Sequence, residues 1–321
     1  MEITFLGTSS GVPTRSRNVS SVALRLPQRA EVWLFDCGEG TQHQLQKSDL
    51  KSSQIRRIFV THMHGDHTFG LMGLIASCGL AGSGQDLDIY GPQGLKEYLQ
   101  AAAKYSYMNF GSRLRVHTVE PGLVYEDSEF QVSCQLLKHR VPAYGYRIIE
   151  KDRPGMFNLE KARALGIPPG PIYGKLKQGK VITLDDGRII NGKELCGAPE
   201  TGRKVVYCTD TVFCDSAVEL SQDADVLIHE ATFAHQDADM AFEKMHSTTT
   251  MAAQTALLAG VKQLIMTHFS PRYAPGNPIQ LNDLKQEARA IFPNTKLAYD
   301  FYTYEVPRRR EAKQKTVQAA R

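Results

Sequence analysis

Directly after the apolar segment 57–60, the chain reads Thr61-His62-Met63-His64-Gly65-Asp66-His67. Three imidazoles and one carboxylate in so short a stretch are nearly all the side-chain ligands that two zinc ions need. Alternate residues that leave a strand end project in similar directions, so we expect His62 and His64 to face one metal. Asp66 and His67 then turn toward a second metal, and Gly65 permits that turn without a Cβ clash. Such a cluster would be costly to bury without a partner, so the stretch predicts a metal site.

Four side chains cannot saturate two metals, so we expect further ligands at the ends of other strands on the same sheet edge. Three later apolar runs end in residues of the right kind, namely His139, Asp210 and His268. A single histidine at a strand end is more often a surface or capped residue than a metal ligand. It is the combination of all three with the first cluster that indicates a metal centre.

Short apolar runs and helical periodicity alternate in both halves of the chain. The strand-like runs are Glu2–Leu6, Ser21–Leu26, Val32–Phe35, Ile58–Thr61, Leu87–Tyr90, Val205–Cys208, Val226–His229 and Leu264–Thr267. The helical stretches are Phe69–Leu80, Leu95–Tyr105, Thr248–Leu258 and Leu281–Ile291. This pattern predicts a layered α/β protein with helices covering the sheet faces.

The pattern changes between about residues 150 and 204, where Gly and Pro are frequent and neither period is sustained. We interpret this stretch as an arm inserted into a domain of residues 1–307. Five basic residues and no acid lie between Lys161 and Lys180, which favours a phosphate-binding surface. A solubilising loop is equally consistent with this charge, and so is a dimerisation element.

The formal net charge of +4 is a property of the C-terminal tail. Residues 308–321 hold six Lys or Arg and one Glu, which gives +5 and leaves about −1 for the rest of the chain. We expect this basic tail to be solvated and partly disordered. The six cysteines form no Cys-x-x-Cys pair, and no apolar stretch approaches 18 residues, so we expect a cytoplasmic protein outside the membrane.

The His-x-His-x-Asp-His motif with the later His, Asp and His resembles the metallo-β-lactamase superfamily. Further segments, between Gly7 and Tyr304, resemble the ribonuclease Z family: Pro13–Asn18, Gly170–Lys177, His229–Thr232 with His246–Thr248, and His268–Tyr273. The resemblance implies a four-layer αββα sandwich with an inserted flexible arm. It also implies a homodimeric, zinc-dependent endoribonuclease that removes the 3′ trailer from precursor tRNA.

The resemblance further implies a role for individual residues. The first zinc ion is assigned to His62, His64 and His139, the second to Asp66, His67 and His268, and Asp210 bridges the two. Asp66 orients the nucleophile and accepts its proton, while His246, held by Glu230, protonates the departing 3′ oxygen. The implied RNA contacts are Arg15, Arg17 and Asn18, Lys175, Lys177 and Lys180 of the arm, and Ser270 and Arg272.

Blander interpretations stay open for several of these residues. Arg15 and Arg17 are consistent with ordinary charged residues of a loop. His246 is consistent with a residue beside a helix cap, and Glu230 with a core carboxylate paired with an arginine. For the whole chain, the rivals are a hydrolase of small molecules with the same fold and an inactive RNA-binding scaffold. The basic arm argues against the first, and the complete ligand set argues against the second.

Overall fold

The computed structural model describes residues 1–80, 86–109 and 113–308. Contacts divide the chain into two compact units. The first comprises Met1–Glu126, Gln131–Ile148 and Lys204–Val306, and the second comprises Asp127–Phe130, Ile149–Arg203 and the segment that begins at Pro307. Apart from Arg308, the predicted basic tail lies outside the described residues. Among the helices described, none combines the length and the apolar character needed to cross a membrane.

Strands and helices alternate through most of the chain. The strands are β1 (Glu2–Gly7), β2 (Ser21–Leu26), β3 (Glu31–Phe35), β4 (Ile55–Phe59), β5 (Leu87–Gly91), β6 (Leu114–Thr118), β7 (Gly122–Glu126), β8 (Phe130–Leu137), β9 (Ala143–Glu150), β10 (Val181–Thr183), β11 (Ile189–Asn191), β12 (Lys204–Cys208), β13 (Val226–Glu230), β14 (Leu264–Thr267), β15 (Thr295–Leu297) and β16 (Thr303–Glu305). The helices are α1 (Thr41–Gln46), α2 (Gly65–Thr68), α3 (Leu71–Leu80), α4 (Leu95–Tyr105), α5 (Leu159–Ala164), α6 (Pro171–Lys177), α7 (Asp215–Ser221), α8 (Ala238–Lys244), α9 (Thr249–Leu258) and α10 (Leu281–Ile291).

Two seven-stranded sheets form the centre of the first unit. Their strand orders are β16-β1-β2-β3-β4-β5-β6 and β15-β14-β13-β12-β9-β8-β7. Within each sheet, parallel pairs such as β3 with β4 and β12 with β13 lie beside antiparallel pairs such as β1 with β2 and β7 with β8. Both sheets are therefore mixed, and each brings several carboxyl strand ends to one edge.

Aromatic rings pack between the two sheets. Phe35 of β3 lies 5.5 Å from the ring of Tyr207 of β12, and Phe59 of β4 lies 5.4 Å from Tyr146 of β9. Burying one such ring is worth about 1.5–3 kcal/mol relative to exposing it. Because side chains alternate along a strand, Leu34 points to the opposite face of the sheet, toward the helices.

Helices cover the outer face of each sheet. Leu45 of α1, Leu71 of α3 and Leu99 of α4 join the apolar core of the first sheet. Leu220 of α7 and the apolar residues of α9 and α10 do the same for the second sheet. The resulting order of helix, sheet, sheet and helix confirms the predicted αββα arrangement.

The strand predicted over Ile58–Thr61 begins and ends earlier in the structure. β4 runs from Ile55 to Phe59, and the chain then leaves the sheet, because the Thr61 amide donates to Oδ1 of Asp36 at 2.8 Å. The predicted helix over Phe69–Leu80 begins at Leu71. Strands β6, β7 and β9 were not predicted, and of β8 only the apolar end before His139 was, since β8 and β9 alternate buried and half-exposed residues without a long apolar run.

The second unit contains short elements where the sequence shows no sustained period. Helices α5 and α6 and the β10–β11 hairpin surround a small apolar core that includes Tyr173, Leu176 and Leu195. Buried Glu150 accepts from Arg203 Nε at 2.6 Å and pairs with Arg308 at 2.8 Å. These two arginines hold the pKa of Glu150 below its usual value, although burial acts in the opposite direction.

Candidate metal centre and catalytic site

The predicted metal ligands follow the carboxyl ends of strands. His62 and His64 come after β4, His139 after β8, Asp210 after β12 and His268 after β14. Asp210 and His268 have φ values of 50° and 60°, in the left-handed region that side chains other than glycine seldom adopt. Strained backbone of this kind concentrates at functional sites, where the surrounding fold holds it in place.

The first donor group consists of His62, His64, His139 and Asp210. Nδ1 of His64 lies 3.0 Å from Nε2 of His62 and 3.4 Å from Nε2 of His139. Oδ2 of Asp210 lies 3.5 Å from Nε2 of His62. The four donor atoms are thus gathered around one point, as ligands of a single cation would be.

The second donor group consists of Asp66, His67 and His268, with Oδ1 of Asp210 beside them. Oδ2 of Asp66 lies 3.4 Å from His67 Nε2 and 3.5 Å from His268 Nε2. Each Nε2 also lies 3.3 Å from Oδ1 of Asp210. Ligands about 2.0–2.1 Å from a tetrahedral zinc ion lie roughly 3.3–3.4 Å apart. Among the described residues, neither of these two buried Nε2 atoms has a hydrogen-bond partner, so the second donor group fits a divalent cation.

The ring nitrogens that face away from the donor groups are fixed by hydrogen bonds. Nδ1 of His139 lies 2.7 Å from the Met245 carbonyl, and Nδ1 of His268 lies 3.0 Å from Thr232 Oγ1. Such contacts select the tautomer and orient the ring for metal binding. The sequence prediction included the ligands but none of these supporting partners.

Asp36 is the supporting residue that sequence reasoning missed. It follows the end of β3, is completely buried, and lies with Oδ2 2.8 Å from Nδ1 of His67. It also accepts from the Thr61 amide and from the Tyr207 hydroxyl. An acidic residue at the end of an apolar strand is the signal that identified Asp210, and it was present here as well.

Gly65 lies against the exposed ring of Phe69. A Cβ at this position would lie 2.3 Å from Cε2 of Phe69, so the ring of Phe69 occupies the space that a side chain needs. The short helix α2 that begins at Gly65 places Asp66 and His67 in the second donor group while His64 stays in the first.

Burial and charge hold four of the proposed ligands in metal-binding form, whereas neighbouring carboxylates outweigh burial and raise the pKa of His67 well above its usual value. Burial lowers the pKa of His62, His64 and His139, which keeps these imidazoles neutral near pH 7. Burial raises the pKa of Asp210, but His268 and His67 outweigh it and hold that pKa well below its usual value. A neutral imidazole and an ionised carboxylate are the forms that bind a cation.

His246 and Glu230 form a hydrogen-bonded pair beside the metal donor groups. His246 Nδ1 lies 2.9 Å from Glu230 Oε1, and Glu230 is fully buried, accepting also from the Thr211 amide and the Thr232 hydroxyl. Burial lowers the pKa of His246, but the Glu230 carboxylate outweighs burial and raises the pKa to about 9. His246 is therefore charged at neutral pH and can act as an acid through Nε2.

The predicted RNA-binding residues of the first loop lie in different environments. Arg15 is exposed, whereas Arg17 is half-buried and donates to Thr8 Oγ1 at 2.7 Å and to the Ala298 carbonyl at 2.9 Å. Asn18 donates through Nδ2 to the Glu39 carbonyl at 2.7 Å. Arg17 and Asn18 thus support the loop from within. The Gly11 amide of this loop donates to Asp66 Oδ2 at 2.9 Å.

A cavity of about 360 Å³ opens beside His64, His139 and His246. Ser270 and Arg272, both predicted to face phosphate, line it. Five lining residues lie outside every predicted segment, because nothing in their local sequence marks them: Ser10, Arg140, Phe233, Met240 and Lys244. Lys175, Lys177 and Lys180, the remaining predicted RNA contacts, are exposed on the second unit, at and just after α6.

Comparisons with known proteins agree with this geometry. Two family models match, one described as Anti-Pycsar protein Apyc1 over residues 1–151 and one as a beta-lactamase superfamily domain over residues 196–269. The metallo-beta-lactamase fold protein YhfI from Bacillus subtilis, 18% identical with a TM-score of 0.66, covers 94% of this chain and 98% of its own. That likeness shows the fold alone.

Closer relatives carry one name. Ribonuclease Z of Microcystis aeruginosa is 75% identical over 311 residues, covering 97% of this chain and 98% of the relative. Ribonuclease Z of Crocosphaera subtropica is 76% identical over 309 residues, covering 96% and 99%. The crystal structure of human tRNase Z, short form, is 32% identical with a TM-score of 0.70, covering 96% of this chain and all of that one. The site is a divalent-metal site of the metallo-β-lactamase fold, and the chain belongs to the ribonuclease Z family.

Proposed function

We propose that this chain is a two-zinc endoribonuclease that removes the 3′ trailer from precursor tRNA. The products are a tRNA with a 3′-hydroxyl and a trailer with a 5′-phosphate. The relatives named Ribonuclease Z and the likeness to human tRNase Z support this substrate class.

The observation that carries the proposal is the placement of His246 and Glu230 beside the bridging carboxylate Asp210. His246 Nδ1 lies 2.9 Å from Glu230 and 3.9 Å from Oδ2 of Asp210. A ribose 3′ oxygen is a poor leaving group, so hydrolysis of an RNA phosphodiester benefits from an acid at this position. The acid and the metal donors together fit this reaction.

Asp66 has the position needed to handle the attacking water. Bound zinc supplies Lewis-acid chemistry, lowering the pKa of water from 15.7 toward about 7 and offsetting charge on phosphoryl oxygens. Asp66 Oδ2 accepts from the Gly11 amide at 2.9 Å and lies within the second donor group. We assign to it the orientation of the water and the acceptance of its proton.

His246 completes the displacement. The water oxygen forms a bond to phosphorus, the bond from phosphorus to the 3′ oxygen breaks, and its electron pair goes to that oxygen. The oxygen takes the Nε2 proton of His246, while Glu230 stabilises the imidazolium and orients the ring. Water is the nucleophile, so no covalent intermediate on the protein is required.

Basic residues outside the centre would hold the rest of the tRNA. Exposed Arg15 would bind a phosphate near the cut, and Lys175, Lys177 and Lys180 offer a charged surface on the second unit. We also propose that the protein is a homodimer and acts in the cytoplasm, where its six free cysteines remain reduced. Sedimentation of the purified protein tests the dimer.

The proposed function is tested with one precursor tRNA that carries a 3′ trailer. We expect a single cut near the discriminator base, which follows the acceptor stem of the tRNA. The released trailer should carry a 5′-phosphate, and a strong chelator should abolish cleavage. Cleavage of small esters alone would instead identify a small-molecule hydrolase. Binding without cleavage in the zinc-loaded protein would identify an inactive RNA-binding protein.

A further inference from the structure

The cavity beside His246 has a cationic lining. Arg140, just after β8, Lys244, at the end of α8, and Arg272, after β14, all border it. None of the described residues that line the cavity is Asp or Glu. Its volume of about 360 Å³ lies at the low end of small-ligand pockets, which span roughly 300–1,000 Å³. The space therefore suits one nucleotide and its phosphate.

One wall of the cavity is fixed by the backbone at the end of α8. The Met245 carbonyl lies 2.7 Å from Nδ1 of His139, and the Glu243 carbonyl accepts from Arg140 Nη2 at 3.4 Å. Met245 itself has a left-handed φ of 58°, and the next amide, of His246, donates to the Ala241 carbonyl. Arg140 is thus held on the same wall as the His246 imidazole.

The cations of this wall can exchange their present partners for a phosphate. Lys244 pairs with Glu243 at 3.2 Å, and both side chains are at least half exposed, so the pair adds little stability. The Arg140 contact is long and exposed, and a guanidinium has further N–H donors to offer. On the other wall, Arg272 lies 5.6 Å from the centroid of Phe233, which with Met240 supplies apolar surface.

The position of His246 decides which nucleotide enters. In the proposed reaction His246 protonates the leaving 3′ oxygen, which belongs to the nucleotide upstream of the cut. In an in-line displacement the attacking water lies across the phosphorus from the leaving oxygen, so Asp66, which orients the water, lies on the side opposite His246. The cavity lies on the His246 side. It therefore adjoins the upstream nucleotide, and the trailer leaves from the other side.

We infer that this cavity binds the last nucleotide that the tRNA retains, and that Arg140 and Lys244 bind the phosphate on its 5′ side. The inference rests on the proposed function, because it takes the direction of the RNA from the role of His246. It adds two phosphate-binding residues and a nucleotide subsite to the metal centre.

The test combines protein variants with RNA substrates in which one charged phosphate is replaced by a neutral linkage. Precursor tRNAs are assembled with one methylphosphonate, placed either 5′ of the last retained nucleotide or after the first trailer nucleotide. The zinc-loaded wild type, Arg140→Ala, Lys244→Ala and the double variant cleave each substrate, and kcat/KM is normalised to the hydrolysis of bis(p-nitrophenyl) phosphate. Lys96→Ala, an exposed charge on α4, is the matched control.

We expect the upstream methylphosphonate to reduce wild-type kcat/KM about tenfold or more and to have little further effect on the double variant. The double variant should lower the salt slope by about 0.7, the value for one phosphate of a single strand, and each single variant should lower it by less. The trailer methylphosphonate should affect wild type, double variant and Lys96→Ala alike. The inference would be overturned if the double variant changed the effect of the trailer methylphosphonate, or if it changed the effect of neither methylphosphonate. A parallel fall in small-diester hydrolysis would also overturn it. A wild type that does not cut the precursor would instead sink the proposed function.

Discussion

Nδ1 of His67 lies 2.8 Å from Oδ2 of Asp36, a buried carboxylate at the end of the neighbouring strand. The contact directs Nε2 of His67 toward the second donor group and makes the imidazole more basic. The metal centre therefore depends on a residue that is not among the predicted ligands.

Replacing Asp36 with Asn should weaken metal binding at the second group by about 10–100-fold, the usual effect of losing such a partner. Competition with a chromogenic chelator measures the affinity. Tyr207→Phe removes one hydrogen bond to the same carboxylate without changing its charge, and should have a much smaller effect. Wild-type zinc affinity in folded Asp36→Asn would contradict the assigned role.

Zinc stoichiometry should separate the two donor groups. We expect two zinc ions per chain in the wild type, and about one in either His139→Ala or His268→Ala, because each variant removes a ligand from one group only. Asp210→Ala should reduce both, since its two oxygens face different groups. Elemental analysis of the dialysed proteins measures the content. One zinc in the wild type, or an unchanged content in all three variants, would exclude the two-metal arrangement.

The assigned role of His246 predicts a dependence on the leaving group. His246→Ala should lower kcat on precursor tRNA by about 10²–10⁴-fold, the usual contribution of an acid. Hydrolysis of bis(p-nitrophenyl) phosphate should fall far less, because p-nitrophenolate leaves without a proton. Glu230→Gln should act in the same direction. Equal losses on both substrates, with zinc retained, would indicate that His246 serves another step.

The pH dependence follows from the raised pKa of His246. Because the carboxylate of Glu230 raises that pKa to about 9, the acid is present at neutral pH and is lost as pH rises through the pKa. Bound zinc ions would lower the pKa of His246, because a nearby positive charge disfavours the imidazolium. The kcat on precursor tRNA should therefore fall along an alkaline limb at or below about pH 9. The limb should move to lower pH in Glu230→Gln and vanish in His246→Ala. An unchanged limb in both variants would assign it to a different group.

The lysines of the second unit should act on RNA binding alone. Replacing Lys175, Lys177 and Lys180 together with Ala should weaken binding of precursor tRNA and reduce the salt slope by up to about 2–3, because fewer counterions are released. Small-diester hydrolysis should hardly change. The control is a triple Ala variant of three exposed lysines of the first unit, Lys47, Lys96 and Lys104. An equal effect of both triple variants on binding would show that only net charge matters.

The sequence by itself was sufficient for the layered fold and for the donor residues that the structure brings together. Apolar runs of strand length, each followed by His or Asp, place ligands at strand ends whatever the order of the strands. The cluster from His62 to His67 needs only local backbone geometry to serve two donor groups, and the structure brings these residues together with Asp210.

Only the tertiary structure decided which distant residues meet. The Gly11 amide reaches Asp66 across 55 positions, and Arg140 reaches Glu243 across 103, since sheet pairing and the packing of α8 bring those segments together. The inward direction of Arg17 likewise depends on Ala298, near the other end of the chain. A local pattern records strand and helix periods and the chemistry of strand ends. Contacts between distant segments depend on which strands pair and on how the core packs, and no local pattern contains that information.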